Sequence, residues 1–211
     1  RKVPSKDKIQ SAMKRVGFKN VIVDPISKKI KKLIPGVYVD LSASAKGYGV
    51  DAIAELLSQN KLNNFMVEIG GEIITKGSKG ERDWKIAVEA PNPLNVETRY
   101  QKILNVSNMA VATSGDYRNF FKESGKKYSH TINFKTGMPV EHTLASVTVV
   151  DSNSCMIADA WATALMALGP IAGYELAEKL GLSAYFIYKL DGQSDSAFVD
   201  KGTSKFKETF K

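Results

Sequence analysis

One stretch narrows the possible folds more than any other: the β-branched run Leu144–Val150, followed within a few residues by a helix that ends at Leu168. Val147, Thr148, Val149 and Val150 read as the body of a strand. Asn153 or Ser154 stands where a helix N-cap belongs, and Gly169-Pro170 stops the helix. Inside it, Ala158-Asp159-Ala160-Trp161-Ala162-Thr163-Ala164-Leu165 is rich in alanine. Asp159 and Thr163 stand at i and i+4, so both point from one helix face. A carboxylate, a hydroxyl and nearby backbone carbonyls form the oxygen set that a hard cation accepts. Mg²⁺ takes only one or two protein carboxylates and completes its shell with water and ligand phosphates. The plainer alternative is that Asp159 favours the positive end of a helix and Thr163 back-bonds to a carbonyl.

Other stretches carry chemistry of the same kind. The apolar strand Val111-Ala112-Thr113 runs into the small-residue turn Ser114-Gly115-Asp116. Its hydroxyls and flexible backbone suit an anion, and they equally fit a plain strand-end turn. The strand Tyr128–Ile132 leads into a Lys135-Thr136-Gly137 turn and carries His130, one of only two histidines. An imidazole can accept a hydroxyl proton near neutral pH, although a lone histidine is more often structural. Asp40-Leu-Ser-Ala-Ser-Ala-Lys46-Gly-Tyr-Gly-Val-Asp51 leads into a helix ending near Ser58. Its turn of small residues admits a phosphate to free helix N–H groups; read alone, it is a β–α connection capped by Ser42 or Ser44. The strand Phe65–Ile74 is broken by Gly70-Gly71, which permits a bulge, close ligand approach or an ordinary hairpin turn. No Walker-type phosphate loop, paired-cysteine zinc spacing or nucleophile elbow is present.

The remaining elements follow from periodicity and punctuation. A helix starts at Pro4-Ser5 with Ser5 as N-cap, repeats Ile9, Met13 and Val16 on one face, and closes at Gly17. Asn20–Val23 and Ile30–Leu33 are expected as strands about a Pro25–Lys28 turn, with Val37–Val39 as a third. Trp84–Glu89, Tyr100–Val106 and Met109–Thr113 read as strands, Gly77–Asp83 as a polar turn and Asn92–Thr98 as a polar loop. Tyr117–Glu123 is expected as a short helix and Ile171–Leu180 as another. Ala184–Tyr188 and Ser196–Val199 close the fold, and the basic tail from Lys201 is expected to fray. Elements in this order describe an α+β fold with mixed or antiparallel sheets packed against helices. It is one domain over residues 1–211, or two closely packed lobes.

Composition adds bounds. Hydrophobic residues form 43% of the 211, enough for a substantial core. Thirty Lys and Arg against 22 Asp and Glu leave a formal charge of +8, which suits an anionic ligand, a nucleic acid or an acidic membrane. The lysines are scattered with little aromatic interleaving, so a solvated basic surface describes them better than a nucleic-acid groove. Cys155 is the single cysteine; it allows no internal disulfide and selects no compartment. No stretch reaches the apolar length of a membrane span.

Taken in order, six motifs resemble those of the ApbE family of flavin transferases, the FAD:protein FMN transferases. They are Asp40–Asp51, Val67-Glu-Ile-Gly-Gly-Glu72, Ala112-Thr-Ser-Gly-Asp-Tyr-Arg118, Tyr128-Ser-His-Thr-Ile132 with Thr136-Gly137 and Pro139, Ser146-Val-Thr-Val149, and Ala158–Leu165. Each is weak alone; together, from about Ser5 to the closing strands, they are specific. The resemblance implies the T-fold-like architecture of the family and its chemistry. With Mg²⁺, the pyrophosphate of FAD is cleaved, FMN passes through a phosphoester bond to a threonine hydroxyl on an acceptor protein, and AMP is released. Some members instead hydrolyse FAD to FMN and AMP.

The same resemblance implies residue roles. Asp159 and Thr163 would hold Mg²⁺ by their side chains, with the backbone carbonyls of Ala43 and Ala162. Asp40, Lys46, the turn carrying Glu68, Gly70 and Gly71, and Ile132 would line the FAD site, with Thr113, Ser114, Gly115 and Asp116 as its anion-facing turn. His130 would be the acid/base. Many family members are envelope lipoproteins, which implies a periplasmic or outer inner-membrane location through a lipid anchor outside this chain. The family usually carries a further segment ahead of the Lys6–Val16 helix that closes over the flavin, and this chain is expected to lack it. Ser42-Ala43 stands where glycines are common, and Asn133-Phe134 where Asp-Pro is common, which removes a carboxylate beside His130. Three function classes stay open: the Mg²⁺-dependent transferase or its pyrophosphatase variant, a non-catalytic flavin-binding protein, and a basic nucleic-acid-binding domain.

Overall fold

The computed structural model describes residues 4–91, 100–115, 120–123, 126–129, 131–189 and 198–211; over 116–130 it describes only the backbone of two strands. Helix α1 (Lys6–Met13) starts after Ser5, in the N-cap position, and lays Ile9 and Met13 against Gly137. A 3₁₀ turn at Phe18–Asn20 leads to the hairpin of β1 (Val21–Asp24) and β2 (Lys29–Lys32). The Asp24 carboxylate closes that turn by accepting the Ile26 and Ser27 N–H groups at 2.9 and 3.2 Å. The strand expected at Val37–Val39 is absent: residues 37–40 pair with no described strand, and Tyr38 points into solvent. With no neighbouring edge to bond, β propensity alone does not make a strand.

Helix α2 (Ser42–Gln59) begins where Asp40 Oδ1 accepts the Ser42 N–H at 2.8 Å and the Ser42 hydroxyl. Asp40, and neither Ser42 nor Ser44, thus supplies the cap. The small residues Ser42–Gly49, expected in a turn, form the first two turns of the helix itself. Strands β3 (Phe65–Ile69) and β4 (Glu72–Lys76) follow, joined by Gly70 at φ 60° and Gly71 at φ 100°. Two successive positive φ values are what a tight hairpin of this hand requires, so the glycine pair is a turn and not a bulge. β5 (Trp84–Glu89) and β6 (Tyr100–Val106) make a separate hairpin; the loop expected at 92–98 lies outside the described residues.

β7 (Ala110–Gly115) precedes β8 (Phe120–Glu123) and β9 (Lys126–Ser129), which pair with each other. The helix expected at Tyr117–Glu123 is therefore a strand over 120–123, as two adjacent phenylalanines favour; residues 117–119 lie outside the described residues. β10 (Leu144–Asp151), α3 (Cys155–Leu168), α4 (Ala172–Lys179), β11 (Ser183–Lys189), β12 (Phe198–Gly202) and α5 (Ser204–Thr209) complete the chain. The expected strand at Ser196–Val199 begins at Phe198 among the described residues. The tail is not frayed. Thr203 caps α5 by accepting the Phe206 N–H, and the buried Phe206 stacks on Tyr185 with ring centroids 5.0 Å apart.

Six strands form one sheet in the order β12-β11-β10-β7-β4-β3, with every neighbouring pair antiparallel. Its faces are read by alternation along each strand. On β7, Ala112 turns to the helices and Val111 to the opposite side. Ala158, Ala162, Leu165 and Met166 of α3 pack on Val147, Val149, Ala184 and Phe186. The β5–β6 hairpin and α5 cover the other face through Ile86, Val88, Leu104, Val106 and Phe206. Each fully buried large apolar side chain of this kind contributes about 1.5–3 kcal/mol. A third cluster sits under α2, where Val50 and Ala54 meet Phe65, Val67 and Cys155. No helix of the described residues is long and apolar enough to cross a membrane.

Candidate active site

The crossing of α2 over α3 sets the site. An ideal Cβ on Gly47 would lie 2.4 Å from the Cys155 carbonyl oxygen, so only glycine lets the two backbones touch there. From the same helix, Asp51 accepts the Cys155 N–H at 2.7 Å, the Met156 N–H at 3.0 Å and the Ser154 hydroxyl at 2.7 Å. Ser154 in turn accepts the Ile157 N–H at 3.2 Å. The free donors at the start of α3 are therefore satisfied partly by a carboxylate 103 residues earlier in the chain.

Along α3 the buried positions are Cys155, Ala158, Asp159, Ala162, Leu165 and Met166, a single helical stripe. Asp159 belongs to that stripe and is only 4% exposed. Its Oδ2 accepts the Gly47 N–H at 3.0 Å. Burial pushes its carboxyl above the ordinary range, while the Gly47 N–H and the Lys46 charge pull it back. One turn on, the Thr163 hydroxyl bonds across to Ser114 Oγ of β7 at 3.0 Å.

Glu72, first residue of β4, is also buried, with its Oε2 2.5 Å from Lys46 Nζ. That oxygen receives no other hydrogen bond. Burial raises the Glu72 carboxyl, Lys46 offsets part of the rise, and the charge of Asp159 adds to it. Among the described residues the cleft thus sets three carboxylates, Glu72, Glu89 and Asp159, beside the single ammonium of Lys46. Cys155, behind them, has its thiol pushed up to about 12 by burial and by Asp51, Glu72 and Asp159, so it packs as a neutral side chain.

These groups open into a cleft of about 560 Å³ between the helical layer and the β5–β6 hairpin. Of the residues expected from the sequence, Lys46, Gly70, Gly71, Thr113, Ser114, Gly115, Asp159 and Thr163 line it together. Five others stand beside it. Asp40 caps α2, held below the ordinary carboxylate range by the Ser42 hydroxyl and N–H. Glu68 Oε1 accepts the Gly71 N–H at 2.7 Å, which ties the hairpin tip. Ala43 lies in the first turn of α2, Ala162 is buried on α3, and Ile132 bridges Pro139 next to Thr131, which lines the cleft. His130 and Asp116 lie outside the described residues.

Sequence reasoning missed Glu72, Ser42 and the capping role of Asp51. Glu72 left a signal: in the alternation of β4 it shares the face of Ile74, which packs in the core under α2. A carboxylate on a core-facing position asks for a partner. The oxygen-only set of Asp159, Thr163 and nearby carbonyls fits a hard divalent cation. Among the described residues no group of three His, Cys, Asp or Glu side chains is placed to hold a metal ion, so a cation here would depend on hydroxyl and carbonyl oxygens beside Asp159.

An antiparallel α+β fold whose helical layer holds an oxygen-lined, carboxylate-rich cleft describes a class of proteins suited to a cation, and comparison with known sequences narrows it. Residues 1–186 match the ApbE family, and the chain belongs to it. It is similar to the FAD:protein FMN transferase of Haemophilus influenzae, 42% identical over 210 residues, which is 98% of this chain and 59% of that protein. The FAD:protein FMN transferase of Escherichia coli K12 is 35% identical over 207 residues, 97% of this chain and 58% of that one. Two solved structures carry the same fold. The flavinyl transferase ApbE of Pseudomonas stutzeri, apo form, has a TM-score of 0.84 at 38% identity, covering 99% of this chain and 62% of that one. The flavin transferase ApbE of Vibrio cholerae has a TM-score of 0.85 at 37% identity, covering 100% and 64%. The chain spans about three-fifths of the length of these relatives.

Proposed function

We propose that this chain belongs to a flavin transferase that moves FMN from FAD to a threonine hydroxyl of an acceptor protein, with Mg²⁺, and releases AMP. One observation carries the reading: a buried carboxylate, Asp159, faces a cleft whose described lining holds three acidic groups and a single ammonium. Asp159 and Thr163 would hold the cation by side chain, joined by the carbonyls of Ala43 and Ala162. Bound there, Mg²⁺ would offset the charge that develops on the pyrophosphate.

The protein groups do the rest. Lys46 stands at the cleft wall, and the Gly70-Gly71 tip would let a ligand approach the backbone. Ser114, bonded to Thr163, fixes that hydroxyl between β7 and α3. His130 would take the proton from the acceptor threonine as its oxygen attacks the FMN phosphorus. The bond from that phosphorus to the bridging oxygen breaks, and AMP leaves with the bridging oxygen and accepts the proton. Following the pattern of the family, we propose that this reaction takes place in the bacterial cell envelope. Incubation with FAD, Mg²⁺ and an acceptor protein tests the proposal. AMP measured by chromatography and flavin fluorescence retained by the denatured acceptor support it; AMP with free FMN alone points to hydrolysis; neither product contradicts both.

A further inference from the structure

We infer that Glu72 is a positioning residue that keeps Lys46 occupied, so that the cleft takes up a diphosphate group only together with a divalent cation. This rests on the reading above that a pyrophosphate enters the cleft. A lysine at a helix surface ordinarily samples many rotamers. Here the stem crosses Gly70, where an ideal Cβ would lie 3.4 Å from Lys46 Cδ, and the ammonium is bound at both sides. Glu72 Oε2 lies 2.5 Å away and the Gly70 carbonyl accepts at 3.4 Å.

The two partners differ sharply in exposure: the Lys46 side chain is 48% exposed and that of Glu72 is 2% exposed. An exposed pair of this kind is worth little, but an ion pair with one buried member is hard to break, because separation strands a charge away from water. The ammonium therefore stays with Glu72. A free lysine in that place would bind an anion unaided. With Glu72 neutralising it, and with the carboxylates of Asp159 and Glu89 also lining the cleft, the cleft repels a diphosphate until a divalent cation supplies two positive charges. A role confined to bracing the β3–β4 hairpin would change melting temperature and leave this dependence on the cation untouched.

Glu72→Gln keeps the shape and removes the charge. Binding of inorganic pyrophosphate and of FAD is measured by calorimetry, once in EDTA and once in Mg²⁺, with thermal melts alongside. In EDTA the variant should bind pyrophosphate about tenfold more tightly than wild type, and the gain should vanish when Lys46→Met is added. In Mg²⁺ the difference should shrink to about threefold or less. Equal affinities of wild type and variant in EDTA overturn the inference, as does a lowered melting temperature with an unchanged ratio between the two media. If Glu72→Gln fails to fold, Glu72→Asp, whose shorter side chain loosens the pair, should give a smaller gain of the same sign; no gain is equally decisive against it. Tighter pyrophosphate with no FAD binding by either protein leaves Glu72 as inferred and removes the flavin reading instead.

Discussion

The segment from α1 to β2 and the segment from β10 to α3 are both well supplied with apolar side chains, yet only the second buries them. α1, β1 and β2 contain no buried residue, and Phe18 and Ile26 between them are 87% and 93% exposed. In β10 every residue from Leu144 to Val150 is buried, and α3 sinks a full helical stripe. The difference lies in what surrounds each strand. β10 is paired on both edges, by β7 and β11, and covered on both faces. The β1–β2 hairpin is a two-stranded sheet of its own, with lysines at 29, 31 and 32 along one strand. Two-stranded sheets gain little until a second layer covers them. The candidate site follows the packed region: Asp159 and Thr163 are carried by α3, and their partners come from α2 and β7.

Breaking the packed region should therefore cost far more than altering the exposed one. Phe186 sits at the centre of the helix-facing core, so Phe186→Ala should lose about 4 kcal/mol of stability in chemical denaturation. Gly47→Ala places a methyl group against the Cys155 carbonyl and should cost about 3 kcal/mol. Because the Gly47 N–H also fixes Asp159, this variant should weaken Mg²⁺ binding even where enough protein remains folded to titrate.

A smaller effect concerns Glu72. Its folded pKa is raised above the ordinary 4.5, so its contribution to stability is fully present below the unfolded value and is lost as pH rises through the folded one. Glu72→Gln should thus match wild type in acid and become the more stable of the two toward neutral pH, read from melting curves across that range. A variant that is the less stable one at neutral pH would mean the Lys46 pair outweighs burial. Smallest of all, Ile26→Ser on the exposed turn should change stability by less than about 0.5 kcal/mol. A larger loss would show that this face is packed after all.

What the sequence made legible was local. Trp84–Glu89 and Tyr100–Val106 were bounded to the residue, because alternation and flanking polar runs mark both ends. The i and i+4 spacing of Asp159 and Thr163 put both on one face of a helix, and both line the cleft. The misses depended on distant partners. Phe206 holds the tail only because Tyr185 offers a ring, and Val37–Val39 stays out of a sheet because no edge among the described residues pairs with it. Phe120–Glu123 becomes a strand through pairing with β9. The ion pair of Glu72 to Lys46 appears only once β4 lies beside α2, and the bond from Gly47 to Asp159 across 112 residues only once α2 crosses α3.

The most direct test removes one charge from the packed region and asks for the product. Asp159→Asn preserves size and can still accept the Gly47 N–H, so the fold and its melting temperature should stay close to those of wild type. With FAD, Mg²⁺ and acceptor present, AMP release by this variant should fall at least about a hundredfold, since a Mg²⁺ site relies on only one or two protein carboxylates. Full AMP release by a folded Asp159→Asn protein would show that the cation is held elsewhere and that the buried carboxylate of α3 is not the centre of this site.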